Sequence, residues 1–376
     1  MLVFTNARIV TPDAVLRGSV SVVDDRIADL QPGASAAPCA LDLDGDYLIP
    51  GVVDLHTDNL ERQVQPRSNA RWPSRSAMLA HDAQCAASGV TTVFDALCLG
   101  DLGFEKDRIR TFHDGVIDLD ALAGTGLLKS EHFLHLRCEM PAADVLDLLD
   151  PVIDHPRVRL VSLMDHSPGV GQYADIERFR ALRRKEGMTE PEIDAKIATL
   201  LEQRAKLRAP NRRALLARAA GRGVPLASHD DRTPEEVAEN LADGIRISEF
   251  PVTRAAAEAA QAHGIDVIAG APNIVRGGSH SGNVAASELI AADAVDALAS
   301  DYVPASLVEA AFRSAAGSVI SLPQAIAMVT ARPAVLAGLP DRGRLAAGLR
   351  ADLVRVRPHH GLPVVREVWR GGARIA

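Results

Sequence analysis

Between residues 51 and 301 the chain repeats one arrangement eight times: a short run rich in Val, Ile and Leu, then an Ala-rich, charged stretch with helical character. The runs fall at 51–56, 89–97, 132–139, 158–166, 224–230, 244–250, 264–273 and 296–301. Near-continuous apolar runs alternating with helices predict βα units around a parallel sheet. Eight units predict an α/β protein, a distorted (β/α)8 TIM barrel whose active site lies at the C-terminal ends of the strands. The flanks differ. LVFTNARIVT, SVSVVDDRIADL and LDLDGDYLIP, and near the other terminus ADLVRVRP and VREVWRGGARIA, read as short strands separated by Pro, Gly and Asp turns. Chain termini often lie close together, so residues 1–48 and 340–376 are expected to form a small β-sandwich domain, leaving 49–339 for the barrel.

Two insertions break the repeat. Residues 57–80 are polar and carry Arg62, Arg67, Arg71 and Arg75, and residues 167–223 are helical and highly charged. Long loops on the catalytic face usually shape the substrate site.

The strand ends carry the candidate chemistry. Asp54, His56 and Asp58 alternate along the first run, and His135, Arg137 and Glu139 along the third, so each set shares a face. The fourth run ends in Asp165 and His166, the fifth in His229, Asp230 and Asp231, the sixth in Glu249 and the eighth in Asp301. Imidazoles and carboxylates converging on a barrel mouth are a costly set to bury without a partner, and they suit a divalent metal. After the seventh run, NIVRGGSHSGN offers Gly-rich amides with Arg276, Ser279, His280 and Ser281, a candidate anion nest. There is no GxSxG elbow for a serine nucleophile and no phosphate-binding GxxxxGK[ST] loop.

Composition narrows the partners. Lys and Arg number 41 against 49 Asp and Glu, and the net charge of −8 argues against general nucleic-acid binding. Four Cys with no CxxC spacing suit a reducing compartment. No apolar run nears the ~20 residues that span a bilayer, and no basic segment precedes an apolar one at the N-terminus. The expected location is cytoplasmic, with no membrane partner and self-association left open.

LIPGVVDLHTD entering the barrel and ADLVRV near the end resemble the amidohydrolase superfamily, and the resemblance covers nearly the full length. DLHTDNLE, MLAHDAQCAASGVTTVFDAL, LMDHSPGVGQY, LASHDD, SEFP, GAPNIVRGGSHSGN and ALASDYVP narrow it to the member serving the carbon–phosphorus lyase pathway of phosphonate degradation. That resemblance implies metal-dependent hydrolysis of α-D-ribose 1-methylphosphonate 5-triphosphate to the 5-phosphate and pyrophosphate. The rival is a C–N hydrolase: a deaminase, deacetylase or cyclic amidase. His56-x-Asp58 stands where most relatives have HxH, and no lysine ends the fourth strand. The resemblance implies one or two ions, zinc first with manganese or iron as alternatives, held by His56, Asp58, Glu139, His166, His229 and Asp301. Asp301 would also handle the proton. Arg62, Arg67, Arg137, Asp230, Arg232, Glu249, Arg254, Arg276, Ser279 and His280 are the expected substrate contacts.

Overall fold

The computed structural model describes residues 1–376 except 68–69, 104–105, 280–281 and 318. Five strands open the chain: β1 (Leu2–Val10), β2 (Val15–Val23), β3 (Arg26–Pro32), β4 (Leu41–Asp42) and β5 (Tyr47–Pro50). Eight follow at the predicted runs: β6 (Val52–Thr57), β7 (Val90–Leu99), β8 (Glu131–Glu139), β9 (Val158–Met164), β10 (Leu226–His229), β11 (Ile247–Glu249), β12 (Asp266–Gly270) and β13 (Ala297–Ala299). The C-terminal flank adds β14 (Leu353–His359), β15 (Leu362–Arg370) and β16 (Ala373–Arg374).

Strands β6 to β13 pair in chain order, all parallel. A parallel bridge between Thr57 and Asp301 joins the first strand's end to the residues after the last. Leu55, Phe94, Phe133, Leu160, Ile247 and Ile268 form one buried cluster from six of these strands. Burying a side chain of this size contributes ~1.5–3 kcal/mol, so the barrel is held by its filling as well as its ladders.

Both flanks build the satellite sheet, ordered β16-β15-β14-β5-β1-β2-β3 with β4 beside β1. The two ends of the chain meet where β14 runs antiparallel to β5, Leu353 opposite Pro50. Phe4 and Trp369 pack edge to face at 4.7 Å, so each flank supplies half of a shared core. The Ile27 amide bonds the Leu349 carbonyl at 2.9 Å, wrapping the sheet's far edge back onto the C-terminal flank.

The second insertion is docked rather than free-standing. It holds the helices Ile176–Lys185 and Glu190–Ala219. Arg204 binds Asp165 at 2.7 Å and Arg212 binds Asp243 at 2.6 Å, fixing the long helix to the segments after β9 and before β11. Among the described residues no helix is long and apolar enough to cross a membrane.

Outside the barrel interior, β7 and β8 share a buried polar network with the helix Ser74–Ala87. Asp95 receives His81 Nε2 at 2.7 Å and His132 Nδ1 at 2.8 Å, and Asp82 accepts from His132 Nε2 at 3.1 Å. Burial opposes a charge on His132, but the Asp95 and Asp82 carboxylates outweigh it and raise its pKa to about 9. Because that value lies above the unfolded ~6.5, the stabilisation is complete below pH ~6.5 and fades as pH rises through about 9. Asp95→Ala is expected to cost ~3–5 kcal/mol, the range for stranding a buried charge. Urea unfolding at pH 6 measures it, and a loss under 1 kcal/mol would show that the network contributes little.

Candidate metal centre

The predicted ligands lie on strand ends, and the backbone there is unusual. Asp230, Phe250 and Asp301 adopt left-handed φ of 60°, 53° and 55° directly after β10, after β11 and two residues beyond β13. For Phe250 that conformation is steeply disfavoured, and such strain persists only where the surroundings enforce it. Here it turns successive side chains toward the barrel mouth. Gly100 follows β7 at φ 101°, and a Cβ there would lie 2.6 Å from the Ala142 Cβ and 3.1 Å from the Glu139 Cβ. Only glycine lets the chain pass so close behind the site.

The ionisable side chains form a continuous arc. Asp58, His56 and Asp301 offer ligand atoms within 4.8 Å of one another, as do His56, His229 and Glu249, and again His166, His229 and Asp230. Glu139 joins at the far end, its Oε2 2.6 Å from His166 Nδ1 and its Oε1 accepting the His166 amide at 2.8 Å. Asp301 is held beside β6 by two backbone bonds: its amide donates to the His56 carbonyl at 2.9 Å, and its carbonyl accepts the Asp58 amide at 2.5 Å.

Each end of the arc is charged differently. Burial opposes ionisation of Asp58, but Arg137 Nη1 at 2.6 Å outweighs it and holds the carboxyl well below its usual range. Asp301 goes the other way: burial and the neighbouring Asp58 charge raise its pKa to about 6. A carboxylate near neutrality is suited to both accepting and returning a proton. Burial disfavours a charge on His56, yet Glu249 Oε1, 3.1 Å from Nδ1, raises its pKa to about 10. Glu249 thus orients the ring and leaves Nε2 facing Asp58, 3.6 Å away. A carboxylate behind a metal-binding imidazole commonly plays this part.

The arc fits a divalent cation. His229 Nε2 is buried without a hydrogen bond, and His229 Nδ1 and Asp230 Oδ2, also buried, meet only each other at 3.3 Å in a poorly aligned contact. Orphaned donors and acceptors of this kind are rare in folded proteins, and a metal ion among mixed nitrogen and oxygen ligands would satisfy them.

A cleft of about 420 Å³ opens above the arc. Of the expected contacts, Arg137, Asp230 and Ser279 line it together with His56, Asp58, Glu139, His166, His229 and Asp301. Glu249 lies outside the cleft lining, fully buried and hydrogen-bonded to His56 and Ser162. Several expected arginines lie outside this lining. Arg62 donates to the Tyr302 carbonyl at 2.6 Å beside the rim. Arg254 pairs with Glu258 on its own helix, Arg67 and Arg276 are exposed outside the lining, and Arg232 lines an adjoining pocket that shares Gln172 and Asn283 with the cleft. His280 and Ser281 lie outside the described residues. The cleft instead gathers Arg108, Arg183, Gln172, Tyr173 and Asn273. Nothing in the spacing of DRIR or RFRALRR marks these arginines, because a helical arginine facing a cleft and one facing water give the same pattern.

A parallel barrel with a satellite sheet from both termini and a mouth of His, Asp and Glu defines a metal-dependent hydrolase of the amidohydrolase type, and the chain belongs to the amidohydrolase family. The model of that family matches residues 217–375. Over 377 aligned residues, spanning all of both chains, the protein is 42% identical to the alpha-D-ribose 1-methylphosphonate 5-triphosphate diphosphatase of Escherichia coli. It is 24% identical over 378 residues to an adenine deaminase of Desulfatibacillum aliphaticivorans, covering 58% of that protein. Among solved structures, the dihydropyrimidinase of Brevibacillus agri superposes with a TM-score of 0.65 at 15% identity, over 99% of this chain and 94% of that one. The two folds are alike at that distance.

Proposed function

We propose that this protein hydrolyses α-D-ribose 1-methylphosphonate 5-triphosphate to the 5-phosphate and pyrophosphate in phosphonate catabolism. The observation that carries the reading is the 42% identity, end to end, with an enzyme of that activity. The cleft chemistry supports it, since arginines and a cation site together suit a polyphosphate.

His56, Asp58, Glu139, His166, His229 and Asp301 would hold the metal, joined by Asp230, which shares a ligand group with His166 and His229, with Glu249 fixing His56 from behind. A divalent metal supplies Lewis acidity at a phosphoryl oxygen and lowers the pKa of a water it carries from ~15.7 toward ~7. Asp301 receives the proton of the attacking water, for which its raised pKa equips it. Arg137 keeps Asp58 ionised, and its charge is therefore committed to the arc rather than to substrate. Attack falls on the α-phosphorus, and the β and γ phosphates leave together. Zinc is the metal of the reading and a cytoplasmic small-molecule substrate its setting, with no nucleic-acid partner at a net charge of −8.

The test is product analysis by ³¹P NMR with metal-loaded protein. The reading expects pyrophosphate in equal amount to the 5-phosphate. Successive orthophosphates would overturn it, and ammonia release from cyclic amides or aminopurines would favour C–N hydrolysis.

A further inference from the structure

Resting on the diphosphatase reading, we infer that the pocket beside the cleft, between Arg178 and Arg232, takes the methylphosphonate group of the substrate while the triphosphate lies at the arc. The pocket measures about 620 Å³ and is built where barrel loops meet the insertion: residues 171–178, Arg232 after β10, Val252 and Thr253 after β11, and Gly282 and Asn283 beyond the helix that follows β12. It shares Gln172 and Asn283 with the cleft, so the two cavities adjoin.

One short segment sets its place relative to the arc. Gly171, at φ 48°, backs onto Asp230, and a Cβ there would lie 3.0 Å from the Asp230 Cβ. Two residues on, the Tyr173 ring centroid lies 6.3 Å from that of His166. The pocket therefore borders the His166–His229–Asp230 end of the arc, the end away from Asp58 and Asp301.

The arginines here differ from those of the cleft. Arg108, Arg137 and Arg183 have carboxylate partners in Glu61, Asp58 and Glu186. Among the described residues neither the Arg178 nor the Arg232 guanidinium has an ion pair or a hydrogen bond, although Arg178 is half-buried. The nearby carboxylates are engaged by main-chain amides instead: Asp175 Oδ1 caps the helix Ile176–Lys185 by accepting the Glu177 amide at 3.0 Å, and Glu236 Oε2 accepts the Arg232 amide at 2.6 Å. The pocket lining holds two cations against one carboxylate, Asp175.

The main chain at Arg232 is fixed while its side chain is free. Its carbonyl accepts Thr253 Oγ1 at 2.6 Å, and the preceding Asp231 carbonyl accepts the Val252 amide at 2.8 Å. Only the side chain then remains to be ordered when an anion binds. A methylphosphonate ester carries one negative charge shared by two oxygens, and a methyl group on phosphorus that accepts no hydrogen bond. Two guanidinium forks suit the oxygens, and Val252 and Ala174 offer apolar surface to the methyl. Anions at opposite ends of a ribose need two separated cationic sites, and Gln172 and Asn283, common to both cavities, suit the hydroxyls between.

The test compares the full substrate with ribose 5-triphosphate, which lacks the phosphonate, in metal-loaded protein. Arg178→Ala and Arg232→Ala should each lower the ratio of kcat/KM for the full substrate over that for ribose 5-triphosphate by ~10–100-fold, the loss of one charge-assisted contact. The change should sit in KM, metal content should stay level, and Arg178→Lys should recover part of the loss. Neither truncation strands a partner, so both variants should fold, which thermal melting checks; Arg313→Ala, on a surface pair with Glu309, is the control. An unchanged ratio in both variants overturns the inference, as does an equal loss on both substrates. Methylphosphonate titrated into zinc-loaded protein and followed by ³¹P NMR reads the pocket without turnover, and its binding should weaken in both variants. If no ribosyl triphosphate is hydrolysed but methylphosphonate binding still depends on the two arginines, the diphosphatase reading fails while the anion pocket stands. If neither variant alters that binding, the pocket falls whatever the enzyme hydrolyses.

Discussion

His229→Ala is expected to leave a folded protein that holds markedly less metal and loses ~10⁴-fold or more in kcat/KM. His229 joins two of the three candidate ligand groups at the mouth, and its Nε2 is buried without a hydrogen bond. Removing it therefore breaks the arc in the middle. A metal ion contributes several kcal/mol of transition-state stabilisation, and each ~1.4 kcal/mol is a factor of ten in rate. The fold should survive, because the polar partner the ring gives up is Asp230, 3.3 Å from Nδ1 at the mouth of the cleft. Elemental analysis and thermal melting check both halves. A variant with full metal content and near-normal rate would remove His229 from the centre.

Asp301→Asn should behave differently: metal retained, kcat lower by ~10²–10⁴-fold, the effect of deleting a positioned acid–base group. The amide is nearly isosteric and keeps the backbone bonds to His56 and Asp58, which use main-chain atoms. It also removes a carboxylate that burial and Asp58 both disfavour in its charged form, so the fold should not be destabilised. Metal loss equal to that of His229→Ala would make Asp301 a ligand first and leave the proton transfer without its base.

The barrel was legible because eight apolar runs, each followed by a helical stretch, have few other ways to bury both faces. The candidate arc could be grouped for a related reason: His56, Glu139, His166 and His229 are ionisable residues at or just past the C-terminal ends of apolar strand runs, and that contrast shows in the sequence. Glu249 could be placed on its strand but not at its depth. Whether a strand-end carboxylate rises into the cleft or sinks against His56 depends on side-chain packing around Ser162 and His135, which spacing does not carry. The arginines are the hardest residues to place from sequence. Residues 57–80, largely helical in the structure, are rich in them, yet Arg71 and Arg75 pair with Asp114 and Asp118 on a neighbouring helix, while Arg108 and Arg183 line the cleft from helices whose rotation only tertiary packing sets.

The most direct test of the account is where solvent oxygen goes. Metal-loaded enzyme turning over α-D-ribose 1-methylphosphonate 5-triphosphate in ¹⁸O-water should place the label in the 5-phosphate and leave pyrophosphate unlabelled, because water positioned by Asp301 attacks the α-phosphorus at the arc. Label in pyrophosphate or in free orthophosphate would mean attack further along the chain, and would contradict the placement of the reacting phosphorus at the barrel mouth.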